Sequence, residues 1–249
     1  HRFKDRVDHV VKALIECQTS RPDGCISAIP NGDKVWEELR KGVIRSQGFD
    51  LNGLWSPWYT HHKVFAGLLD AHTLSGSSDA LKVASKFGDW AIELTKGLTP
   101  EQWQQMLVTE YGGMNESLAE LYARTKEDKY IQLARKFYDK RVLDPLVNGK
   151  DELSGKHSNT QIPKLVGLAR LYELTGAKDD RKAAEFFWNT VVDSHTYAIG
   201  GNSNHEYLGP AGKLNDRLSS NTAETCNTYN MLRLTRHVFS WQPSVKAAD

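Results

Sequence analysis

The sequence predicts an all-α fold built from repeated pairs of helices. Three observations support this fold class: a self-similar segment recurs every 50 residues, each copy carries the apolar spacing of a helix, and a short polar turn divides each copy in two. Helical hairpins repeated at a constant period form either an open solenoid or a closed α/α toroid, and the period leaves both possibilities open.

The repeat is clearest in the first helix of each unit. Segments 67–76, 117–125 and 167–176 align at an offset of 50 residues, and a partial copy at 231–235 follows at an offset of 60. The register continues through the second helix at matching alanines and phenylalanines, which are Ala84, Ala134, Ala184, Phe87, Phe137 and Phe187. The larger last offset indicates an insertion, for which we predict a short β-hairpin near 196–221.

The individual helices follow from apolar spacing and from charge at their ends. Residues 2–18 are predicted to form a helix of the second type, and 224–239 a helix of the first type. The second-type helices between them are predicted to begin near Asp79, Asp128 and Asp179, because acidic residues stabilise helix N-termini. We therefore expect residues 1–249 to be a single partial domain that begins and ends within a hairpin.

Composition excludes several classes of function. The 32 Lys and Arg residues against 31 Asp and Glu give 32 − 31 = +1, so no basic surface for nucleic acid is expected. The sequence contains no run of about 18 apolar residues, which is the length needed to span a membrane. The three cysteines cannot form a disulfide framework. Cys17 is predicted to pack on an apolar helix face, and nothing marks Cys25 as reactive.

Chemically interesting residues fall at or just before the starts of the first-type helices. In a toroid these helices point the same way, so such residues would share one rim and line a pocket. They are His62, Asn115, Glu116, His157, Glu224 and Cys226. Each also has a plain structural reading; Glu116, for example, suits any first helical turn. Glu224 and Cys226 can face one cation, although a zinc site requires about four ligands.

The inserted segment contains a polar loop, 200–207, that ends in an acid beside an aromatic residue. Glu206 could stand over the mouth of a toroid as a general acid. An ordinary turn before a β-hairpin explains the same residues equally well.

The motifs together resemble the β-L-arabinofuranosidases of glycoside hydrolase families 127 and 146, with a lean toward 146. The resemblance covers nearly the whole chain, including 26–32. The motifs are Trp58-Tyr59-Thr60-His61-His62-Lys63, Gly113-Met114-Asn115-Glu116, His157-Ser158-Asn159-Thr160-Gln161, Gly200-Gly201-Asn202-Ser203 with Glu206, and Glu224-Thr225-Cys226-Asn227.

The resemblance implies an (α/α)6 barrel followed by β-sandwich domains. Members release terminal β-L-arabinofuranosyl units from glycans with retention of configuration, through a cysteine thiolate bound to a zinc ion held by one Glu and three Cys. Glu224 and Cys226 match the first two zinc ligands, and Glu206 matches the acid/base, although the stretch between Glu206 and Glu224 is two residues longer here. Glu116 is the second candidate for proton transfer.

The substrate is expected to be an oligosaccharide or glycan containing L-arabinofuranose. His62 and His157 match histidines that contact the sugar in the family. Trp58, Tyr59 and Asn115 are predicted to bind it as well, and Tyr111 and Tyr207 are further candidate walls, since sugar pockets are lined by aromatic faces.

The family's nucleophile belongs to an adjacent Cys-Cys pair that has no counterpart in this sequence. We therefore expect the upstream helix, the barrel closure and the β-sandwich domains to lie outside this chain, and the chain alone to be inactive. The alternative is a non-catalytic α/α carbohydrate-binding or interaction protein. A sugar epimerase or unsaturated glucuronyl hydrolase would leave Glu224 and Cys226 unexplained.

Overall fold

Helices account for most of the chain and follow the predicted repeat. The computed structural model describes residues 2–248. The helices are α1 (Arg2–Thr19), α2 (Gly32–Arg40), α3 (Pro57–Ser75), α4 (Ser78–Thr95), α5 (Pro100–Met106), α6 (Met114–Thr125), α7 (Asp128–Lys136), α8 (Lys140–Val147), α9 (Ser158–Thr175), α10 (Lys178–Ser194), α11 (Thr225–Trp241) and α12 (Val245–Ala248). None of these helices in the described part of the chain is long and apolar enough to cross a membrane.

The predicted helical pairs are confirmed. The first-type helices are α3, α6, α9 and α11, the second-type helices are α1, α4, α7 and α10, and α3, α6 and α9 each pack on the second-type helix that follows. Short helices α2, α5 and α8 lie between the pairs. The described chain divides into two compact units, His1–Phe137 and Tyr138–Asp249. The single-domain organisation of 1–249 stays a prediction.

A residue in the left-handed conformation ends three first-type helices at the same place in the repeat. Gly76 (φ 74°), Lys126 (φ 61°) and Gly176 (φ 72°) are the C-caps of α3, α6 and α9. Each backbone N–H donates to a carbonyl four residues earlier, at 3.1, 2.8 and 2.7 Å. Glycine adopts this conformation freely, whereas a non-glycine residue pays about 1 kcal/mol. The 50-residue period therefore repeats backbone geometry as well as sequence.

The core of the first unit is aromatic. The His61 imidazole lies among Trp36, Trp58, Phe87 and Trp90, with ring centroids 5.1–5.6 Å away. All five side chains are buried. Because α2, α3 and α4 each contribute rings to this cluster, it holds the three helices together.

A small antiparallel sheet precedes α3 and was not predicted. Its strands β1 (Ser46–Gln47), β2 (Asp50–Leu51) and β3 (Leu54–Trp55) are adjacent in chain order. Strands of two residues are too short to show an alternating pattern in a sequence. Near 196–221 the structure differs from the predicted β-hairpin. The described residues there form isolated antiparallel bridges and a 3-10 turn at Asn215–Arg217, without a strand.

In the second unit, α9 packs on both α10 and α11, and α8 packs on α10. A buried ion pair links the start of α8 to α9, with Lys164 Nζ 2.9 Å from Asp139 Oδ2. Burial acts to raise the pKa of Asp139, but Lys164 and Arg141 outweigh it and hold that pKa below its ordinary value. At the far ends of α9 and α11, Glu173 Oε1 accepts hydrogen bonds from His237 Nδ1 (2.7 Å) and Trp241 Nε1 (3.2 Å).

The placement of Cys17 corrects the sequence prediction. The Cys17 side chain is exposed, and its neighbour Gln18 is buried, donating to the carbonyls of Gly24 (2.9 Å) and Val83 (3.1 Å). An apolar pattern identified this helix but did not identify which face α1 turns inward. Cys25 is buried, and burial raises the pKa of its thiol, which keeps it protonated and unreactive.

We predict that His61 makes stability depend on pH. Burial lowers the pKa of His61 to about 3, so the folded protein holds it neutral while the unfolded chain protonates near pH 6.5. Stability from this group is complete above pH 6.5 and falls toward pH 3 by up to about 1.4 kcal/mol per pH unit. Urea unfolding at pH 7, 6 and 5 gives the free energy of unfolding at each pH, which should change less with pH in His61→Phe than in wild type. The exposed control His9→Phe should keep the pH dependence of wild type. A pH dependence in His61→Phe equal to that of wild type would contradict the assignment.

Candidate active site

In the first unit, His62 of α3 faces the glycine pair that precedes α6. The backbone N–H of Gly113 donates to His62 Nδ1 at 3.1 Å. An imidazole nitrogen that accepts a hydrogen bond carries no proton, so the proton of neutral His62 lies on Nε2. The main chain thereby sets the tautomer and leaves Nε2 as a donor.

The two glycines are required for this close approach. A Cβ at Gly112 (φ 55°) would lie 2.6 Å from His62 Nδ1 and 2.9 Å from Tyr59 Cδ2. A Cβ at Gly113 would lie 3.0 Å from His62 Nε2 and 3.2 Å from Glu116 Oε2. The Nε2 donor and the carboxylate therefore flank the same point of the backbone. His62, Asn115 and Glu116 are buried, and Asn115 Oδ1 accepts the N–H of Glu116 at 3.0 Å.

The aromatic candidates of this unit separate into buried and accessible rings. Trp58 is 1% exposed, its Nε1 donates to Met106 Sδ at 3.3 Å, and its ring meets Phe137 edge-on. Tyr111 is also buried. Tyr59 is half-buried, which leaves part of its ring accessible. Trp58 is thus a core residue in this structure, and Tyr59 is the candidate with surface to offer a sugar.

In the second unit, buried polar side chains fasten the polar loop to the first turns of α9 and α11. Ser158 Oγ donates to Asn202 Oδ1 at 2.7 Å, and Asn227 Nδ2 donates to Ser203 Oγ at 2.8 Å. The Ser158 N–H donates to the Glu206 carbonyl at 2.8 Å. A further bond, Asn230 Nδ2 to Asn159 Oδ1 at 2.8 Å, joins the two helices directly. The roles of Ser158 and Asn227 were not predicted, although both lie in the quoted motifs.

Glu206 occupies a tight turn that favours glycine. Asn204 and Tyr207 exchange two backbone hydrogen bonds of 3.0 and 3.1 Å, so His205 and Glu206 are the two central residues. Both have positive φ, 48° and 70°, as in a type I′ turn, where Asn and Gly are preferred. Ser203 has a φ of 73° as well. Non-glycine residues in such conformations cluster at functional sites, where the surrounding structure holds them in place.

The Glu206 carboxylate contacts His157. His157 Nε2 lies 3.2 Å from Glu206 Oε2, and the two side chains are 14% and 58% exposed. The Tyr207 ring meets the imidazole edge-on, with centroids 5.2 Å apart. The imidazole nitrogen and the carboxylate oxygen are within hydrogen-bonding distance of each other. The structure thus brings together two residues that are 49 positions apart in the sequence.

Glu224 and Cys226 lie at the start of α11. Glu224 is the N-cap, and its Oε2 is buried with no hydrogen-bond partner, as a metal-ligand oxygen would be without its metal. Cys226 is exposed in the first turn. Within residues 2–248 no group of three His, Cys, Asp or Glu side chains could hold a metal ion. Two ligands do not form a zinc site, so the described residues alone do not fit zinc.

Comparison with known proteins identifies the family. A model of the β-L-arabinofuranosidase catalytic domain of glycoside hydrolase family 127 matches residues 1–249. The chain therefore belongs to this family. That the sequence is closer to family 146 than to family 127 stays a prediction. None of the curated proteins compared matches the chain significantly.

Solved structures share the fold. A family 127 β-L-arabinofuranosidase from Geobacillus stearothermophilus T6 superposes with a TM-score of 0.67 at 18% identity, over 97% of this chain and 40% of that one. A second family 127 β-arabinofuranosidase gives a TM-score of 0.71 at 19% identity, over 99% of this chain and 39% of that one. The chain thus spans about 40% of the length of these structures. At this identity the likeness confirms the predicted fold class.

We predict that Gly113→Ala disturbs the candidate site of the first unit. The new methyl group would meet His62 Nε2 and Glu116 Oε2, and overpacking of this kind costs about 1–3 kcal/mol. Urea unfolding should show that loss, and the ring ¹⁵N resonances of His62 should shift. The matched control is Gly67→Ala in α3, where a Cβ meets nothing within 4 Å and stability should not fall. Equal behaviour of the two variants would contradict the packing argument.

We predict that Glu206→Gly keeps or raises stability, by up to about 1 kcal/mol, because glycine fits the left-handed turn better. Lys126→Gly, at the left-handed end of α6, is the matched control for this backbone relief. Thermal and urea unfolding measure both variants. A clear loss of stability in Glu206→Gly would mean that the carboxylate is retained for structure, and would favour the ordinary-turn interpretation.

Proposed function

We propose that this chain carries sugar-binding and proton-transfer residues of a retaining β-L-arabinofuranosidase. The observation that carries the proposal is the 3.2 Å contact between His157 Nε2 and Glu206 Oε2, on a loop fastened by buried hydrogen bonds. Membership of the family gives this contact its chemical meaning. The substrate class is an oligosaccharide or glycan with a terminal β-L-arabinofuranosyl unit.

Glu206 is proposed to be the general acid/base. Cleavage of a glycoside requires a carboxyl group that protonates the leaving oxygen and later removes a proton from water. The exposed side chain of Glu206 can reach a bound sugar, while its main chain is held by Ser158. His157 donates to the ionised carboxylate and accepts from the protonated form, so it can accompany both stages.

The first unit supplies the second candidate group. Glu116 is buried beside His62, whose Nε2–H is directed by the Gly113 hydrogen bond. We propose that His62, Asn115 and Tyr59 bind a sugar unit of the glycan and that Glu116 accepts a hydrogen bond from one of its hydroxyl groups, because charge-assisted hydrogen bonds to a carboxylate are strong. Trp58 then acts from the core, by packing.

The metal is a separate part of the proposal. Glu224 and Cys226 would supply two ligands of a zinc ion, and the orphaned Oε2 of Glu224 supports the first of these. Zinc would lower the pKa of a coordinating thiol and so supply a nucleophile. Because a complete ligand set is lacking within residues 2–248, we derive no step through zinc and propose that this chain alone does not hydrolyse glycosides.

The test is hydrolysis by this chain and by the longest product that its gene encodes. We predict that the longer product cleaves methyl β-L-arabinofuranoside, and that Glu206→Gln lowers its kcat by about 10²–10⁴-fold. With a nitrophenyl leaving group the loss should be smaller, and azide should restore part of it. The exposed control Glu152→Gln should keep full activity.

The other outcomes discriminate between the candidates. Full activity of Glu206→Gln together with loss in Glu116→Gln would move the acid/base role to Glu116. Sugar binding with neither zinc nor hydrolysis in either form would favour the non-catalytic carbohydrate-binding protein, for which the incomplete ligand set is the supporting observation.

A further inference from the structure

A buried histidine meets a carboxylate outside the candidate site, within the unit Tyr138–Asp249. His195 is the C-cap residue of α10, and its side chain is 1% exposed. Its Nε2 lies 2.9 Å from Asp151 Oδ2, and the Asp151 side chain is 24% exposed. Because an ionised carboxylate only accepts hydrogen bonds, the imidazole N–H donates, and such charge-assisted bonds are among the stronger ones in proteins.

The other oxygen of Asp151 shapes the chain that follows. Asp151 Oδ1 accepts the N–H of Leu153 at 3.1 Å, and the Leu153 carbonyl accepts the N–H of Lys156 at 3.0 Å. The Leu153 side chain is buried. One carboxylate therefore ties its segment to the end of α10 and also fixes the direction in which the chain runs toward His157.

A short antiparallel ribbon, formed by residues 155–158 and 206–208, carries His157 and Glu206. The two segments are joined by backbone hydrogen bonds of 2.8–3.0 Å, which run from N–H to carbonyl in the pairs Gly155 to Leu208, Leu208 to Lys156 and Ser158 to Glu206. An isolated two-stranded ribbon is only marginally stable in water. The alignment of this ribbon therefore depends on what fixes its base.

Asp151 and His195 lie at that base, one on each segment. Asp151 precedes His157 by six residues, and His195 precedes Glu206 by eleven. Their contact joins the two stretches of chain that carry the candidate acid/base and its histidine partner. Because the ribbon couples these stretches, a shift at the base would be passed on to the 3.2 Å contact between His157 Nε2 and Glu206 Oε2.

We propose that Asp151 and His195 are positioning residues for Glu206. This inference rests on the proposed function, because the acid/base role of Glu206 is itself a proposal. The His195 side chain is too deeply buried to touch a sugar, so the pair acts through the ribbon. It aligns the Glu206 carboxyl group with the leaving oxygen, and a misplacement of about 1 Å in an active site costs about 10²-fold in rate.

The experiment compares two leaving groups in the longest product of the gene. Help from a general acid matters most for a poor leaving group. Asp151→Ala is therefore expected to lower kcat/KM by about 10–10²-fold on methyl β-L-arabinofuranoside and much less on the nitrophenyl glycoside. Asp151→Asn should restore most of the activity, since its amide can keep both hydrogen bonds once neutral His195 accepts at Nε2.

A matched control separates positioning from a general loss of stability. Glu185→Ala removes another carboxylate of this unit, which accepts from Arg181 Nε at 2.7 Å and is 32% exposed. It should leave kcat/KM unchanged for both substrates. Thermal unfolding shows that each variant is folded in the assay. If Asp151→Ala does not fold, Asp151→Glu replaces it, because it keeps the charge, displaces the carboxylate by one methylene and should show the same leaving-group dependence at smaller size.

The positioning role also has a structural readout that needs no activity. In the 249-residue chain, the ring ¹⁵N resonances of His157 should shift in Asp151→Ala, because the contact of His157 with Glu206 changes. Glu185→Ala should leave these resonances in place. Unchanged His157 resonances in a folded Asp151→Ala would contradict the coupling through the ribbon.

Two kinetic results would overturn the inference, and they differ in meaning. A folded Asp151→Ala that loses kcat/KM equally on both substrates, or not at all, would make the pair purely structural and leave the proposed function intact. A wild-type product that hydrolyses neither substrate, or full activity of Glu206→Gln, would remove the proposed acid/base and the positioning role with it.

Discussion

The candidate site of the second unit depends on how the N-terminal turns of α9 and α11 are held to the loop between α10 and α11. Four buried polar side chains, two from the loop and one from each helix, make this connection through two hydrogen bonds, which satisfy groups that would otherwise be left unpaired inside the protein. At the opposite ends of the same helices, Glu173 joins His237 and Trp241. Because both ends of the helix pair are fixed, the loop has a rigid base. That base can hold Glu206 in a conformation that its own side chain disfavours.

In the first unit, the main chain positions the candidate side chains. There the chain uses two glycines to bring main chain against an imidazole, and the backbone itself selects the His62 tautomer. The aromatic cluster behind α3 fixes the helix that carries His62. The two neighbouring histidines therefore differ in role. His61 is a neutral core residue. The Gly113 N–H donates to Nδ1 of His62 and so leaves its proton on Nε2. The distinction arises from the helical turn, since adjacent residues point in directions about 100° apart.

Much of the fold could be predicted because the repeat, the 3.6-residue apolar spacing and the acidic helix starts are properties of the sequence itself. The short sheet could not, since two-residue strands leave no pattern and depend on bonds to distant carbonyls such as that of Gly48. The burial of individual side chains could not be predicted from the sequence either. Trp55 and Trp58 are the same residue type and are close together in the sequence, yet Trp58 lies in the core and Trp55 is exposed to solvent. Cys17 and Gln18 show the same limit on α1.

The candidate site was predicted residue by residue, but its contacts were not. Motif spacing singled out Glu206 and His157, whereas their 3.2 Å contact requires the tight turn at 204–207 and the support of Asn227. The loop contains a tight turn, as one of its two interpretations expected, and it carries an acid at a position that suits glycine. A backbone conformation that disfavours the residue is one ground for the proposed role of the Glu206 side chain.

The most direct test of this account is a crystal structure of the chain with a bound β-L-arabinofuranoside. We expect the sugar beside His157, with a Glu206 carboxylate oxygen at about 2.6–3.2 Å from the glycosidic oxygen. The turn at 204–207 should be unchanged by binding, because its hydrogen bonds preorganise it. A sugar bound away from Glu206, or a turn that rearranges to admit it, would contradict the claim that this fixed loop positions the acid/base.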